Sequence, residues 1–275
     1  MRFALMLGVA AVAAVLGASA ASGNGSPYSP GLTYGWDGVR ASGGDVRFVT
    51  LGTDRTTVVA AIRVRGGRVV RSWALRGFFG VPLVAYDGTA GGLSGDGRSL
   101  VVASYGPAPG DAGSTRFAVL STRTLRPRRL VELRGAWSYD AVSPDGKLLY
   151  LVEHLSAGKN PRYRVRLYDL AAGRLEPGAI VDRIEREAEM RGQPVTRATS
   201  ADGRWAYTLY ARPGTPFVHA LDTARSEAFC IDLPARLTVP RQMALRLDAA
   251  AEGLRVVQGR ASLATIDTRS FSVRT

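Results

Sequence analysis

The chain has 275 residues, 46% of them hydrophobic and 21% charged, with one cysteine, two histidines and a formal net charge of +13. A lone Cys230 excludes an intramolecular disulfide, and Cys230 with the widely separated His154 and His219 excludes an ordinary structural zinc site. All of the 36 basic residues except Lys147 and Lys159 are arginine. With abundant Ala, Gly and Val, that usage reads as the codon bias of a GC-rich genome and weakens any reading of arginine as a choice for phosphate.

The first 20 residues have the form of a secretory signal peptide. Met1-Arg2 is followed by an apolar run over 3–16 and by Ala18-Ser19-Ala20, a small-x-small cleavage pattern. The run is shorter than the roughly 20 residues a spanning helix needs. Retention as an uncleaved anchor is the alternative. Cleavage leaves 255 residues with no second apolar run long enough to span, and places the protein outside the cytoplasmic membrane, secreted or in the cell envelope. Nucleic acid is then not an expected partner, whereas anionic envelope polymers attract a basic protein. Residues 21–33, rich in Ser, Gly and Pro, are expected to be a flexible segment, leaving 34–275 as one domain.

That domain repeats a turn. Its copies are Ser-Gly-Gly-Asp at 42–45, Ser-Gly-Asp-Gly at 94–97, Ser-Pro-Asp-Gly at 143–146, Ser-Ala-Asp-Gly at 200–203 and Ala-Ala-Glu-Gly at 250–253, spaced by 52, 49, 57 and 50 residues. A period near 50 residues marks a repeat architecture. A short strand precedes each turn, and an apolar strand such as "LLYLVEH" or "WAYTLYA" follows it. A third strand and a fourth complete each unit. Four antiparallel strands repeated radially make a β-propeller, here with five expected blades. The wider gap before the fourth turn holds "VDRIEREAEMRGQP", 181–194, whose composition predicts a short helical insertion near 182–191.

"SPDGKLLYLVE" followed by "RVRLYDLAAGR" resembles the YVTN-type and WD-like repeats of exported bacterial β-propeller proteins. The likeness is good in the third and fourth units, partial in the second and fifth, and weak in the first. It implies a fold, since the turn residues of such families build blades, and it implies no reaction.

Candidate binding residues come from the segments that link one unit to the next. Trp36-Asp37, Tyr86-Asp87, Trp137, Tyr139-Asp140, Arg197 and Arg241 each lie just before a first strand. Asp37, Asp87 and Asp140 precede their turns by five, seven and three residues. In a regular strand these odd offsets give one orientation, which gathers the carboxylates at the mouth of a central channel. Two readings follow: aromatic platforms and carboxylates that hold a carbohydrate-like ligand, or Trp and Tyr packed between blades with Asp capping loop amides. Arg197 has the simpler role of neutralising the acidic ring.

Catalytic signals are thin. His219 in "FVHALD" reads as a packing histidine, His154 is the better base, and no Gly-x-Ser-x-Gly motif accompanies it. No metal and no cofactor are expected. The expected function is an exported binding or scaffolding module for a protein or carbohydrate-like ligand. The alternatives are a carbohydrate-active hydrolase using channel-mouth carboxylates, which must flank the scissile bond, and a basic envelope-associated structural protein.

Overall fold

The computed structural model describes residues 26, 28–40, 43–53, 55–158, 160–183, 188–235, 237, 243–248 (backbone only) and 253–275. The expected signal peptide and Arg241 lie outside the described residues. Five antiparallel meander sheets follow one another along the chain, and a sixth, two-stranded sheet pairs Leu32–Thr33 with Val81–Pro82. The first comprises Gly38–Val39, Val46–Gly52, Thr56–Arg63 and Val69–Arg76. The second has three strands, Ser99–Ala103, Ser114–Ser121 and Pro127–Arg134. The third holds Trp137–Val142, Leu148–His154, Arg162–Asp169 and Arg174–Leu175, and the fourth Gln193–Thr199, Trp205–Ala211, Phe217–Asp222 and Glu227–Asp232. Met243–Asp248, Gly253–Gln258, Ala261–Asp267 and Val273–Arg274 form the fifth.

Strands apolar on both faces require a cover on both faces, and each sheet finds it in its neighbours. Every residue of Ser99–Ala103 and of Phe217–Asp222 is buried. Val59, Phe79, Leu100 and Leu120 fill the space between the first and second sheets, and Phe117, Val131, Leu149 and Leu151 that between the second and third. Tyr150, Val165 and Leu221 join the third to the fourth, while Tyr207, Leu209, Leu254 and Val256 join the fourth to the fifth. Each fully buried side chain of this size stabilises the fold by roughly 1.5–3 kcal/mol.

The repeated turns at 94–97, 143–146 and 200–203 share one hydrogen-bond pattern. The serine hydroxyl donates to the aspartate two residues on, at 2.6, 2.7 and 2.6 Å, and accepts from the amide that opens the next strand. The closing glycines Gly97, Gly146 and Gly203 have φ of +67°, +71° and +74°, which any Cβ would strain. These three turns converge at one end of the molecule. The Asp96 amide donates to the Pro144 carbonyl at 2.9 Å, and Gly95 lies so close to the fourth sheet that a Cβ would sit 2.0 Å from the Asp202 carbonyl oxygen. The turn end of the axis is therefore filled.

Three expectations are corrected here. No helix occurs among the described residues: at the ends of the expected 182–191 helix, Asp182 bridges Ala228, and Met190–Arg191 pairs with the third sheet. Cross-strand partners explain this, because Arg183 pairs with Glu227, Glu189 with Arg162, and the Asp182 carboxylate accepts from the Cys230 amide. The segment expected to be flexible is tied down at its end, with Leu32–Thr33 paired to Val81–Pro82 and Leu32 buried in the core. Leu83 also donates to the Gly31 carbonyl at 3.0 Å. The second unit lacks a continuous innermost strand: two isolated bridges, Gly80 to Ala103 and Leu93 to Leu100, extend it inward.

Candidate functional site

The first strand of the third sheet carries Trp137, Tyr139 and Asp140. Pairing along it runs regularly to Tyr139 and resumes at Ala141, so Asp140 is the extra residue of a β-bulge. A bulge re-aims the side chain it carries. Asp140 turns into the interior, 3% exposed, and meets Arg197 from the first strand of the fourth sheet. The Arg197 guanidinium donates to the Asp140 carboxylate and to its backbone carbonyl, and its Nε donates to Thr208 Oγ1 at 2.8 Å. Burial is the largest single influence and would lower the Arg197 pKa, but the charge and hydrogen bond of Asp140 together with the neighbouring Tyr210 and Tyr139 hold the group above its ordinary value. The other Asp140 oxygen, Oδ2, is buried with no hydrogen-bond partner.

Around this pair the interior is aromatic and polar at once. Tyr163 and Tyr210 stack with centroids 5.5 Å apart, and burial pushes the Tyr139, Tyr163 and Tyr210 phenols well up. His154 shares a 2.8 Å hydrogen bond with Ser138 Oγ through Nε2, while its Nδ1 has no partner. Burial lowers His154 to about 4, so its ring is neutral at physiological pH. A cavity of about 20 Å³ lies among Tyr28, Ser138, Asp140, His154, Tyr163 and Tyr210, room for one water. Tyr28 and Pro30 close one side of it: the Tyr28 ring meets His154 edge-on at 5.3 Å, and nearby the Tyr86 hydroxyl donates to the Ser26 carbonyl at 2.6 Å. A second hollow of about 80 Å³ opens beside this cavity, lined by Ser26, Tyr28, Tyr105, Trp137 and Tyr139.

The predicted site residues thus divide. Trp137, Tyr139, Asp140 and Arg197 are buried together near the axis, where Trp137 Nε1 donates to the Arg134 carbonyl at 2.7 Å. Trp36 and Asp37 are exposed at the edge of the first sheet, Trp36 at 65%. Asp87 accepts from the amide and hydroxyl of Thr89 at 2.9 and 2.6 Å, closing its own turn. The expected ring of three equivalent carboxylates does not form. One is in an ion pair, one caps a loop and one faces solvent. Asp140 is the most buried of the three, because the bulge re-aims its side chain.

No family model matches the chain, and no curated protein matches it. Among solved structures it is similar to TolB from Acinetobacter baumannii, at 16% identity and a TM-score of 0.38 over 83% of this chain and 56% of that one. It is also similar to the dihydro-heme d1 dehydrogenase NirN in complex with DHE, at 13% identity and 0.48 over 86% and 44%, and to the Dos1 propeller, at 12% and 0.39 over 74% and 45%. The chain spans about half the length of these three proteins. Successive meander sheets, packed face to face, make the fold propeller-like.

Two features went unread in the sequence. At the end opposite the converging turns, Tyr34 meets Phe78 edge-on at 5.8 Å and Phe78 stacks on Tyr105 at 5.7 Å. Tyr34 and Tyr105 are 45% and 46% exposed, and Tyr105 also lines the 80 Å³ hollow. The rings come from three separate loops, Tyr105 from one within the second sheet, so no local motif announces them. The other feature is a cleft of about 290 Å³ between the third and fourth sheets, with Arg191, Arg212, Phe217, His219 and Cys230 on its walls. His219, lowered to about 4 by burial, packs against Tyr210. Cys230 is half-buried. Among the described residues no group of His, Cys, Asp and Glu is arranged to hold a metal ion.

Proposed function

We propose that this chain is an exported five-bladed propeller that acts as a binding module through the exposed aromatic row Tyr34–Phe78–Tyr105. The row carries the reading. Three rings in succession, Phe78 touching both tyrosines and Tyr105 leading into a hollow, form an apolar surface of the kind that marks an interaction site. Their flat faces and polar edges suit a carbohydrate-like ligand, which presents apolar C–H faces rimmed by hydroxyls. The N-terminal signal-like segment supports export. The hydrolase alternative needs two available carboxylates, and the geometry does not favour it: Arg197 engages Asp140 and Thr89 engages Asp87.

A glycan screen on the purified chain, followed by titration of any hit, tests the proposal. Phe78→Ala and Tyr105→Ala should each weaken binding at least about tenfold, the equivalent of one lost aromatic contact of about 1.4 kcal/mol. Binding that survives both substitutions would place the site elsewhere.

A further inference from the structure

Charge is distributed unevenly over the sheets. Residues 38–134, which form the first two sheets, contain fifteen arginines and six acidic residues, a surplus of nine out of the chain's +13. Residues 137–232, which form the third and fourth, contain thirteen basic and thirteen acidic residues. Pairing follows composition. Among the described residues, eight arginines of the third and fourth sheets lie in salt bridges, and in the first two only Arg63 does, with Asp45. Codon bias explains why the basic residues are arginine, but it acts on both halves alike and leaves this asymmetry unexplained.

The surplus is organised at the turn end of the outer strands. Arg71 donates to the Thr122 carbonyl at 2.8 Å, which ties the first sheet to the second. The Arg126 guanidinium lies over the Trp73 ring at 4.9 Å. Arg128 reaches Ser99 Oγ at 3.4 Å, and the Arg129 guanidinium rests against Gly173 of the third sheet, where a Cβ would be 3.0 Å away. Arg123 stands exposed in the turn between them. None of the five forms an ion pair among the described residues. Three are held by neutral partners and Arg129 packs beside Gly173, so their charge stays unneutralised.

We propose that Arg71, Arg123, Arg126, Arg128 and Arg129 form a docking strip for a linear polyanion bearing phosphate groups along its length. The strip crosses from the first sheet to the third along an exposed outer strand, and a chain-like partner matches that course. A second copy of this protein is disfavoured by the like charges. A bilayer surface is disfavoured because Leu130 is the single exposed large hydrophobic residue of that strand, too little apolar area to insert. The strip lies at the opposite end of the sheets from the aromatic row, so the two surfaces can be tested apart.

The test is fluorescence anisotropy of a labelled linear inorganic polyphosphate titrated with the purified chain. With five contacts, affinity should fall on the order of a hundredfold between about 50 and 200 mM salt. The triple variant Arg123→Gln, Arg128→Gln, Arg129→Gln should bind at least about tenfold more weakly and lower the logarithmic salt slope by about two. The double variant Arg191→Gln, Arg225→Gln removes charge from the balanced half and should change binding less than about twofold. Phe78→Ala should leave polyphosphate binding intact, whatever it does to a glycan. Unchanged melting curves establish that the variants are folded. The proposal is overturned by absence of binding, by equal weakening in both arginine sets, or by tighter association with anionic lipid vesicles that polyphosphate does not compete away.

Discussion

The first two sheets and the next two are built to one plan and use arginine in opposite ways. In the third and fourth, guanidinium groups are matched to carboxylates, most tightly at Arg197 and Asp140 near the axis. In the first and second they are held by carbonyls, a hydroxyl and an indole ring, and their charge faces outward. The difference teaches that residue type alone does not assign a role: a guanidinium is neutralised where a carboxylate meets it and keeps its charge where none does.

Breaking the buried pair should produce the largest effect. Arg197→Met strands the Asp140 carboxylate in the interior and should cost about 3–5 kcal/mol in urea unfolding. Adding Asp140→Leu removes the stranded charge and should recover most of that loss. If Arg197→Met is instead as mild as a surface substitution, the pair is not the keystone of the balanced half.

Acid should sharpen the comparison next. His154 and His219, both lowered to about 4 by burial, lie in the third and fourth sheets. Their unfolded pKa of about 6.5 is higher, so the unfolded chain binds protons more readily below that value. Stability is therefore complete above about pH 6.5 and falls as pH drops toward about 4, by up to roughly 3 kcal/mol for each ring. Urea midpoints measured across that window should fall, and His154→Gln should flatten the slope. A midpoint independent of pH would contradict the burial of both rings.

The smallest of these effects joins the two halves. Gly95→Ala places a methyl against the Asp202 carbonyl and should destabilise by about 1–3 kcal/mol, read as a lowered melting temperature. An unchanged melt would mean that the second and fourth sheets do not meet at their turns.

The repeat was legible because serine, aspartate and glycine hold one turn by local hydrogen bonds, which depend on a few adjacent residues. The candidate site was legible only in part. Offset counting placed Asp37, Asp87 and Asp140 on one face because it assumes uninterrupted alternation, and the single extra residue at Asp140 reverses the count. The 182–191 segment has helical composition, yet Asp182, Arg183 and Glu189 find partners on neighbouring strands, which local propensity does not register. In the Ser- and Pro-rich N-terminal stretch, composition outweighed Tyr28 and Leu32, the two side chains that fasten it.

The meeting of the three turns also limits how such an array can be remade. A chain that grows by copying its own units begins with interchangeable parts. Here the apex has made them unequal: the second turn has Gly95 where the third has Pro144 and the fourth Ala201, and a copied Ala201 would collide with the turn it came from. Putting the third or fourth unit in the place of the second is thus penalised at a position outside every strand, by the one residue in which these three turns differ.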